Sequence, residues 1–248
     1  EYFEQNGKEI TVIGVPKTVD NDVGFMTRTF GFETAVYAAA PVISCAHDEA
    51  KAVENGIGLV RLMGRDSGFL AAYATLANSV VNMCLVPEVP FEMEGEGGLL
   101  DAIRRRLTLK NHMVIVVAEG AGQNLIDSNT VVKDASGNVR HADIGLFLKD
   151  AIKRDLDAHN IPHSVKYFDP SYVVRSVPAR GTDAVFCLHL AENAVHAAMA
   201  GCTNMVVGHW QGHFTHVPIA LATHERRKLD PTGQLWQSVL GVTGQTRY

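Results

Sequence analysis

The amino-acid sequence predicts an α/β fold with a mainly parallel sheet. Short apolar runs rich in Val, Ile and Leu recur along the 248 residues, and most end in turns rich in Gly, Pro, Asp or Asn. Between these runs lie longer stretches in which apolar residues keep helical spacing. Strand, turn and helix therefore alternate along the chain, which is the pattern of an α/β protein.

The composition is that of an ordinary globular protein and excludes several classes of partner. Hydrophobic residues make up 46% and charged residues 20% of the chain. A net charge of −5 does not favour binding to nucleic acid or to anionic membranes. No apolar run approaches the roughly 20 residues that span a bilayer. We predict neither nucleic acid nor a membrane as a partner.

The cysteines indicate a reducing compartment. The chain has four of them, far apart and without a C-x-x-C pair. Isolated cysteines in apolar surroundings are typical of buried free thiols rather than of a disulfide framework. We therefore predict a cytoplasmic location, and the sequence leaves a plastid or another organelle open.

The first strand leads into the most polar turn of the chain. Ile10–Val15 is an apolar β-branched run that predicts a buried strand, and Pro16 ends it. In an open α/β sheet, ligands bind beyond the carboxyl ends of the strands. Five polar side chains occupy this position: Lys17, Thr18, Asp20, Asn21 and Asp22.

The side chains of this turn suit phosphate chemistry. Lys17 and Thr18 can contact phosphate oxygens. Asp20 and Asp22 can take a proton or hold a divalent cation. An ordinary Asx-rich turn is the alternative, because Asp and Asn are favoured in turns for local reasons.

The remaining elements follow in order. We predict further strands at Ile57–Met63, Asn82–Val86, Met113–Ala118, Val165–Phe168, Met205–Val207 and Val217–Ile219. We predict helices from Thr29 or Gly31 to Val53, and over Phe69–Ala77, Gly98–Lys110, Asp143–His159 and Thr182–Ala200. Pro41 should kink the first of these helices or cost it a hydrogen bond, and Thr182 or Asp183 should cap the last. The end of the chain shows weaker periodicity.

Three histidines near the end of the chain have spacings that resemble zinc ligands. They are His209, His213 and His216. Gly208 and Gly212 argue against the helix that would align them, and no fourth ligand is evident in the sequence. We therefore favour a role without metal for these side chains.

Five motifs occur in the order and spacing of the phosphofructokinases. They are GVPKTVDND, TFGFETAV, LMGRDSGF, VVAEGAGQ and KYFDPSYVVRSVP. Within that family the sequence most resembles the plant and protist ATP-dependent branch. The closer similarity lies in ENGIGLVRLMGRDSGFLAAYATLA, PFEMEGEGG and KDASGN. The resemblance extends from about Ile10 to Ala222.

This resemblance implies two Rossmann-like lobes with mainly parallel sheets. Residues 1–31 would belong to the phosphoryl-donor lobe, 32–178 to the sugar-phosphate lobe, 179–222 to the donor lobe again, and 223–248 to a C-terminal segment. In the family a glycine-rich GGDGT-type loop precedes the first strand and handles the donor. These residues lack that loop, so we expect the chain to be a fragment.

The resemblance also assigns catalytic roles to matching positions. Asp20 would be the base that takes the proton from the sugar's 1-hydroxyl. Asp22 would help to place the Mg²⁺-bound phosphates or orient Asp20. Thr18 and Arg65 would stabilise charge on the phosphoryl group during transfer.

A second set of positions would hold the acceptor. Glu119 would accept hydrogen bonds from sugar hydroxyls, and Met63 and Gly64 would line the sugar. The sugar's 6-phosphate would be held by three side chains: Lys166, Tyr172 and Arg175. In the family some of these cations come from a neighbouring subunit. Lys166 can therefore serve a partner's site in a homodimer or homotetramer.

The function that the resemblance implies is ATP-dependent phosphorylation of fructose 6-phosphate to fructose 1,6-bisphosphate with Mg²⁺, a regulated step of glycolysis. Two alternatives stay open. One is a pyrophosphate-dependent enzyme, and the other is a catalytically silent subunit that binds sugar phosphate. Lys17 occurs in both donor classes and does not separate them. The residues upstream of Glu1 would do so.

Overall fold

A computed structural model describes residues 2–126 and 141–245. The KDASGN segment, residues 133–138, lies outside the described residues. The strands are β1 (Ile13–Gly14), β2 (Gly56–Leu62), β3 (Met83–Leu85), β4 (His112–Ala118), β5 (Ser164–Phe168), β6 (Met205–Trp210) and β7 (His213–Pro218). The helices are α1 (Tyr2–Gln5), α2 (Phe32–Lys51), α3 (Phe69–Leu76), α4 (Leu99–Leu109), α5 (Ile144–Ala158), α6 (Ser171–Arg175), α7 (Gly181–Met199), α8 (Ile219–Ala222) and α9 (Gln234–Thr243).

The α/β prediction is confirmed, and the chain forms two compact units. Glu1–Thr34 and Pro178–Arg227 make up the first, and Ala35–Val177 and Lys228–Tyr248 make up the second. The functions predicted for the corresponding lobes remain predictions. None of the helices in the described part of the chain is both long enough and apolar enough to cross a membrane.

The second unit contains a four-stranded sheet in which every pair is parallel. Its strand order is β3-β4-β2-β5. The central strands β2 and β4 are almost continuously buried, as expected for parallel strands covered on both faces. Their main-chain register pairs Leu62 with Ala118, so the two strands end at the same level. The residues that follow them therefore share one edge of the sheet.

The first unit contains a three-stranded sheet of order β1-β6-β7. The prediction of a buried strand over Ile10–Val15 is wrong in length and burial. The strand covers Ile13–Gly14, and Ile10, Val12 and Val15 are 40–47% exposed. The physical reason is that β1 pairs, within the described residues, with β6 on one side, so the flanking side chains receive little cover.

The last two strands form an antiparallel hairpin and are longer than predicted. Their pairing continues from Met205 with Pro218 to Trp210 with His213. Gln211 and Gly212 connect them, with φ of 47° and 87°. A two-residue turn with positive φ at both positions matches the twist of paired strands, so the ladder continues up to the turn. Sequence spacing alone did not reveal this.

Two helix predictions need correction, and one helix was missed. Helix α7 begins at Gly181 and has no side-chain cap, because the Asp183 carboxylate is buried and accepts hydrogen bonds from Thr34 instead. Helix α2 covers Phe32–Lys51 and is shorter than predicted at both ends, with Pro41 inside it. Helix α9 was not predicted, although its buried residues Trp236 and Val239 keep helical spacing.

Candidate active site

The polar turn after β1 is held in one conformation by its own side chains. Asn21 is buried and adopts a left-handed conformation with φ of 57°. Its amide oxygen accepts a hydrogen bond from the N–H of Thr29 at 2.9 Å. The Thr29 hydroxyl donates to the carbonyl oxygen of Thr18 at 2.9 Å, and the N–H of Asp20 donates to the Thr18 hydroxyl at 3.1 Å. The sequence TVDND therefore folds into a locally hydrogen-bonded turn, as Asn and Thr favour.

Three of the predicted residues share one cavity in the first unit. Thr18, Asp20 and Asp22 line a cavity of about 370 Å³, together with residues that include Glu225 and Arg226. Arg226 Nη1 donates to Asp22 Oδ2 at 3.1 Å. Asp22 is thus mostly buried and held by a cation, so its carboxylate has a fixed position in the cavity.

Lys17 is placed differently from these three side chains. It is exposed and forms a backbone bridge with Phe30. The carbonyl oxygen of Pro16 accepts a hydrogen bond from the N–H of Phe30 at 3.1 Å, which closes the base of the turn. The observed position of Lys17 thus depends on backbone pairing, and its side chain faces solvent.

The second unit brings together the loops that follow β2 and β4. The N–H of Glu119 donates to the Leu62 carbonyl oxygen at 2.9 Å, and the N–H of Gly120 donates to that of Gly64 at 3.0 Å. Gly64 has φ of 132°, a conformation that side chains rarely adopt. A Cβ atom at Gly120 would lie 1.8 Å from the carbonyl oxygen of Arg65. Glycine is therefore required for the two loops to approach each other.

Arg65 and Glu119 line the cavity that these loops create. It has a volume of about 500 Å³. Its remaining lining residues were not predicted as site residues: Arg61, His141, Ala142 and Asp143. Arg61 carries a signal that sequence reasoning could have used, because it is a charged residue inside an otherwise apolar strand. Asp143 was predicted as the start of a helix and is the N-cap of α5.

The structure places the three residues predicted to hold a phosphate on two different elements. Tyr172 and Arg175 lie on α6, with the Arg175 guanidinium 4.7 Å from the centre of the Tyr172 ring. Both side chains are exposed. Lys166 lies on β5, and its Nζ is 3.7 Å from Glu49 Oε2 on α2. Lys166 is therefore paired with α2, while Tyr172 and Arg175 form a pair of their own.

The three histidines with zinc-like spacing lie on the hairpin of β6 and β7, where His209 packs against aromatic rings. In the hairpin register His209 lies opposite Phe214, and Val207 lies opposite His216. The His209 ring meets those of Phe186 and Phe214 edge-on, at 5.5 Å and 5.3 Å between ring centres. Burial, then the charges of Arg28 and His213, lowers the pKa of His209. In the described ranges, no three His, Cys, Asp or Glu side chains converge as a metal site.

Two arginines near the end of the first unit were missed by sequence reasoning. Arg226 binds the Asp22 carboxylate, and Arg227 binds the carbonyl oxygens of Asn21 and Thr27. The N–H of Arg227 also donates to the Asp22 carbonyl oxygen at 2.7 Å. The run HERRK shows only a basic segment, and its partners are about 200 residues earlier in the chain.

The architecture is that of the open α/β proteins, which place polar ligand-binding groups beyond the carboxyl ends of parallel strands. The protein-family model described as Phosphofructokinase matches residues 1–198. The chain belongs to the phosphofructokinase family, which confirms the resemblance seen in the five motifs.

Two curated relatives are similar over almost all of this chain. The chain is 48% identical to an ATP-dependent 6-phosphofructokinase of Borreliella burgdorferi, covering 99% of this chain and 56% of the relative. It is 46% identical to ATP-dependent 6-phosphofructokinase 1 of Arabidopsis thaliana, covering 100% of this chain and 53% of the relative. The chain thus spans about half the length of the curated relatives it matches.

A solved structure shares the fold. The pyrophosphate-dependent phosphofructokinase from Marinobacter aquaeolei matches with a TM-score of 0.74 and 20% identity, covering 100% of this chain and 63% of that one. At this identity the match concerns the fold alone. It supports the phosphofructokinase-like architecture.

Proposed function

We propose that this protein transfers the terminal phosphoryl group of ATP to the 1-hydroxyl of fructose 6-phosphate, giving fructose 1,6-bisphosphate. The observation that carries the proposal is the convergence of Thr18, Asp20 and Asp22 on one cavity in a chain of this family. The choice of ATP is supported by the names of the relatives that are 46–48% identical.

In this proposal the turn after β1 performs the chemistry. Asp20 accepts the proton of the 1-hydroxyl as that oxygen attacks the phosphoryl group. Asp22, held by Arg226, orients the reacting groups. Thr18 donates a hydrogen bond to the phosphoryl oxygens, where charge is redistributed during transfer. For Arg65, which lies in the second unit, the family motif is the support for the same task. Phosphoryl transfer depends mainly on such positioning and electrostatic stabilisation.

The residues of the turn also fit Mg²⁺. This ion binds proteins through one or two carboxylates and keeps several waters while it contacts substrate phosphates. Asp20 and Asp22 line the same cavity and supply two carboxylates. That number is enough for Mg²⁺, because waters and substrate phosphates provide its other ligands. Asp22 would hold the ion through water. When bound, Mg²⁺ neutralises charge on the donor's phosphates.

The acceptor would be held by the second unit. Glu119 accepts hydrogen bonds from the sugar hydroxyls, and Met63 and Gly64 line the sugar. Tyr172 and Arg175 hold the 6-phosphate, since an arginine supplies a fork of donors to phosphate oxygens. Lys166 is paired with Glu49 and half exposed, and its role in a partner's site of a homo-oligomer is proposed on the family resemblance.

The cell compartment is proposed on the cysteines. Cys45, Cys84, Cys187 and Cys202 are all free thiols. Free thiols persist where the surroundings are reducing, which supports a cytoplasmic location. Regulation by small-molecule effectors is proposed on family membership alone.

The test is turnover of the purified whole protein with fructose 6-phosphate and Mg²⁺, using ATP or pyrophosphate as donor. We expect turnover with ATP, and Asp20→Asn should lower it by about 10²–10⁴-fold because the amide cannot accept the proton. Asp48→Asn, which changes an exposed carboxylate on α2, is the control. Turnover with pyrophosphate but not with ATP would contradict the proposal. An Asp20→Asn variant as active as the wild type would contradict it as well.

A further inference from the structure

Arg61 is a charged residue inside a buried strand. Its neighbours on β2, Val60 and Leu62, are at most 1% exposed, and the Arg61 side chain is 17% exposed. Charged side chains occur at such positions almost only when they are paired. Arg61 lies just before the motif LMGRDSGF, and none of the five family motifs contains it.

Two carboxylates flank the Arg61 guanidinium. Arg61 Nη2 donates to Asp169 Oδ2 at 2.5 Å, and Arg61 Nε lies 3.9 Å from Asp143 Oδ1. The sheet register explains the first contact. Val60 pairs with Phe168, so Arg61 and Asp169 are the next residues along two neighbouring parallel strands. The central strand β2 therefore carries a cation, near its carboxyl end, between two acidic side chains.

One of these carboxylates lies two residues before the helix that carries the predicted phosphate-binding pair. Asp169 Oδ1 accepts hydrogen bonds from the N–H and the hydroxyl of Ser171, at 3.1 Å and 2.5 Å. Ser171 is the first residue of α6, which bears Tyr172 and Arg175. Arg61 is thus connected to α6 through a single carboxylate, one oxygen of which faces the arginine and the other the helix.

The other carboxylate begins the helix beside the cavity. Asp143 is the N-cap of α5 and accepts a hydrogen bond from the N–H of Leu146 at 3.1 Å. It also accepts one from the Tyr167 hydroxyl at 2.9 Å. Asp143 and Arg61 both line the cavity of about 500 Å³ that contains Arg65 and Glu119.

Arg61 is the cation that these two carboxylates share. Without it, Asp143 and Asp169 would lose a charge partner at partly buried positions. Burial opposes the charge of Arg61, but the bond to Asp169 and the nearby acidic groups outweigh it and raise the pKa of the guanidinium.

We propose that Arg61 is a positioning residue of the acceptor site, which holds Tyr172 and Arg175 in place through Asp169. This inference rests on the proposed function, because it concerns the binding of fructose 6-phosphate. Arg61 acts through another residue and does not itself contact the phosphate. Its effect on affinity therefore depends on the presence of Arg175.

A double-mutant cycle tests this dependence. In the whole protein, Arg61→Met should raise the KM for fructose 6-phosphate by about 10-fold, the effect of one charge-assisted contact, and change the KM for ATP by less than about threefold. In an Arg175→Ala background the same substitution should raise the KM for fructose 6-phosphate by less than about threefold. Arg61→Lys, which keeps the charge but has no planar fork, should be intermediate.

The matched control is Arg104→Met. Arg104 Nη1 contacts both carboxylate oxygens of Asp155, at 2.5 Å and 2.7 Å, in the same unit, and Arg104 does not line this cavity. It should lower thermal stability as Arg61→Met does and leave the KM for fructose 6-phosphate unchanged. The inference would be overturned if Arg61→Met raised the KM for fructose 6-phosphate by the same factor with and without Arg175. An equal rise in the KM values for fructose 6-phosphate and ATP would also overturn it.

The two proposals fail differently. If the wild-type protein neither binds nor phosphorylates fructose 6-phosphate, the proposed function is wrong. Calorimetric binding of fructose 6-phosphate to the wild type settles that point before any variant is compared. If the wild type binds it and the cycle is additive, only the role of Arg61 is wrong.

Discussion

Arg227 binds the carbonyl oxygen of Asn21 with two donors, Nε at 3.2 Å and Nη2 at 2.9 Å. Asn21 lies between Asp20 and Asp22, and the N–H of Arg227 also donates to the Asp22 carbonyl oxygen. The turn that would perform the chemistry is therefore held from outside, by a residue 206 positions later in the chain. Under the proposed function, this contact would help to position the carboxylate of Asp20.

Arg227→Ala should lower kcat while leaving the KM for fructose 6-phosphate within about threefold. Two backbone carbonyls lose their cationic partner, and small displacements of a reacting group can cost on the order of 10²-fold in rate. We expect a 10- to 100-fold loss, from roughly 1.5–3 kcal/mol per hydrogen bond to a charged group. Lys228→Ala, the next basic residue, is the control. An unchanged kcat in steady-state assays would show that the turn keeps its shape without Arg227.

Arg175→Ala should raise the KM for fructose 6-phosphate far more than that for ATP. The lost contact to a phosphate is worth roughly 1.5–3 kcal/mol, or about 10- to 100-fold. Arg154→Ala, which removes an exposed arginine from α5, should change neither KM. Equal effects of Arg175→Ala on the two substrates would point to a role in folding or assembly instead.

Gly120→Ala should disrupt the acceptor cavity. The new methyl group would overlap the Arg65 carbonyl oxygen, so the loops that carry Arg65 and Glu119 must separate. Gly241→Ala is the matched control, because a Cβ at that helical position meets no atom within 4 Å beyond the backbone of its own helix. We expect weaker binding of fructose 6-phosphate by calorimetry for the first variant alone. Wild-type affinity in Gly120→Ala would mean that the loops tolerate a shift of their backbones.

Asp183 should stabilise the protein in a pH-dependent way. Its buried carboxylate accepts hydrogen bonds from the N–H and hydroxyl of Thr34, both at 2.7 Å, and from Arg28 Nη2 at 3.1 Å. Burial opposes ionisation, but these donors outweigh it and lower the pKa of Asp183. The folded pKa is thus below the unfolded value of about 3.9. The contribution is present above that value and is lost as the pH falls through the folded pKa.

The measurement is the difference in thermal midpoint between wild type and Asp183→Asn as a function of pH. It should be constant from about pH 5 to 7 and shrink below about pH 4, since protonation then removes the same interaction in the wild type. Asp157→Asn, at a carboxylate that is 76% exposed, should show little difference at any pH. A difference that is independent of pH down to 3 would assign the effect to packing.

Local patterns in the sequence determined the α/β class and most of the elements. Strands β2 and β4 were predicted to within a residue at each end, because continuous apolar runs bounded by polar turns are a local signal. The turn at Thr18–Asp22 was also evident from its residue types. The family motifs further indicated Arg65 and Glu119 as site residues, and the structure places both beside one cavity.

The tertiary structure alone decided what depends on partners distant in the chain. The burial of β1 depends on how many strands lie beside it, and the extent of the hairpin depends on pairing across a turn. The roles of Arg61 and Arg227 come from contacts 108 and 206 positions away. The sequence determines the charge and size of a side chain, but the sheet register and the packing of loops determine its partner. That is why these two arginines could be assigned only once the strands were placed.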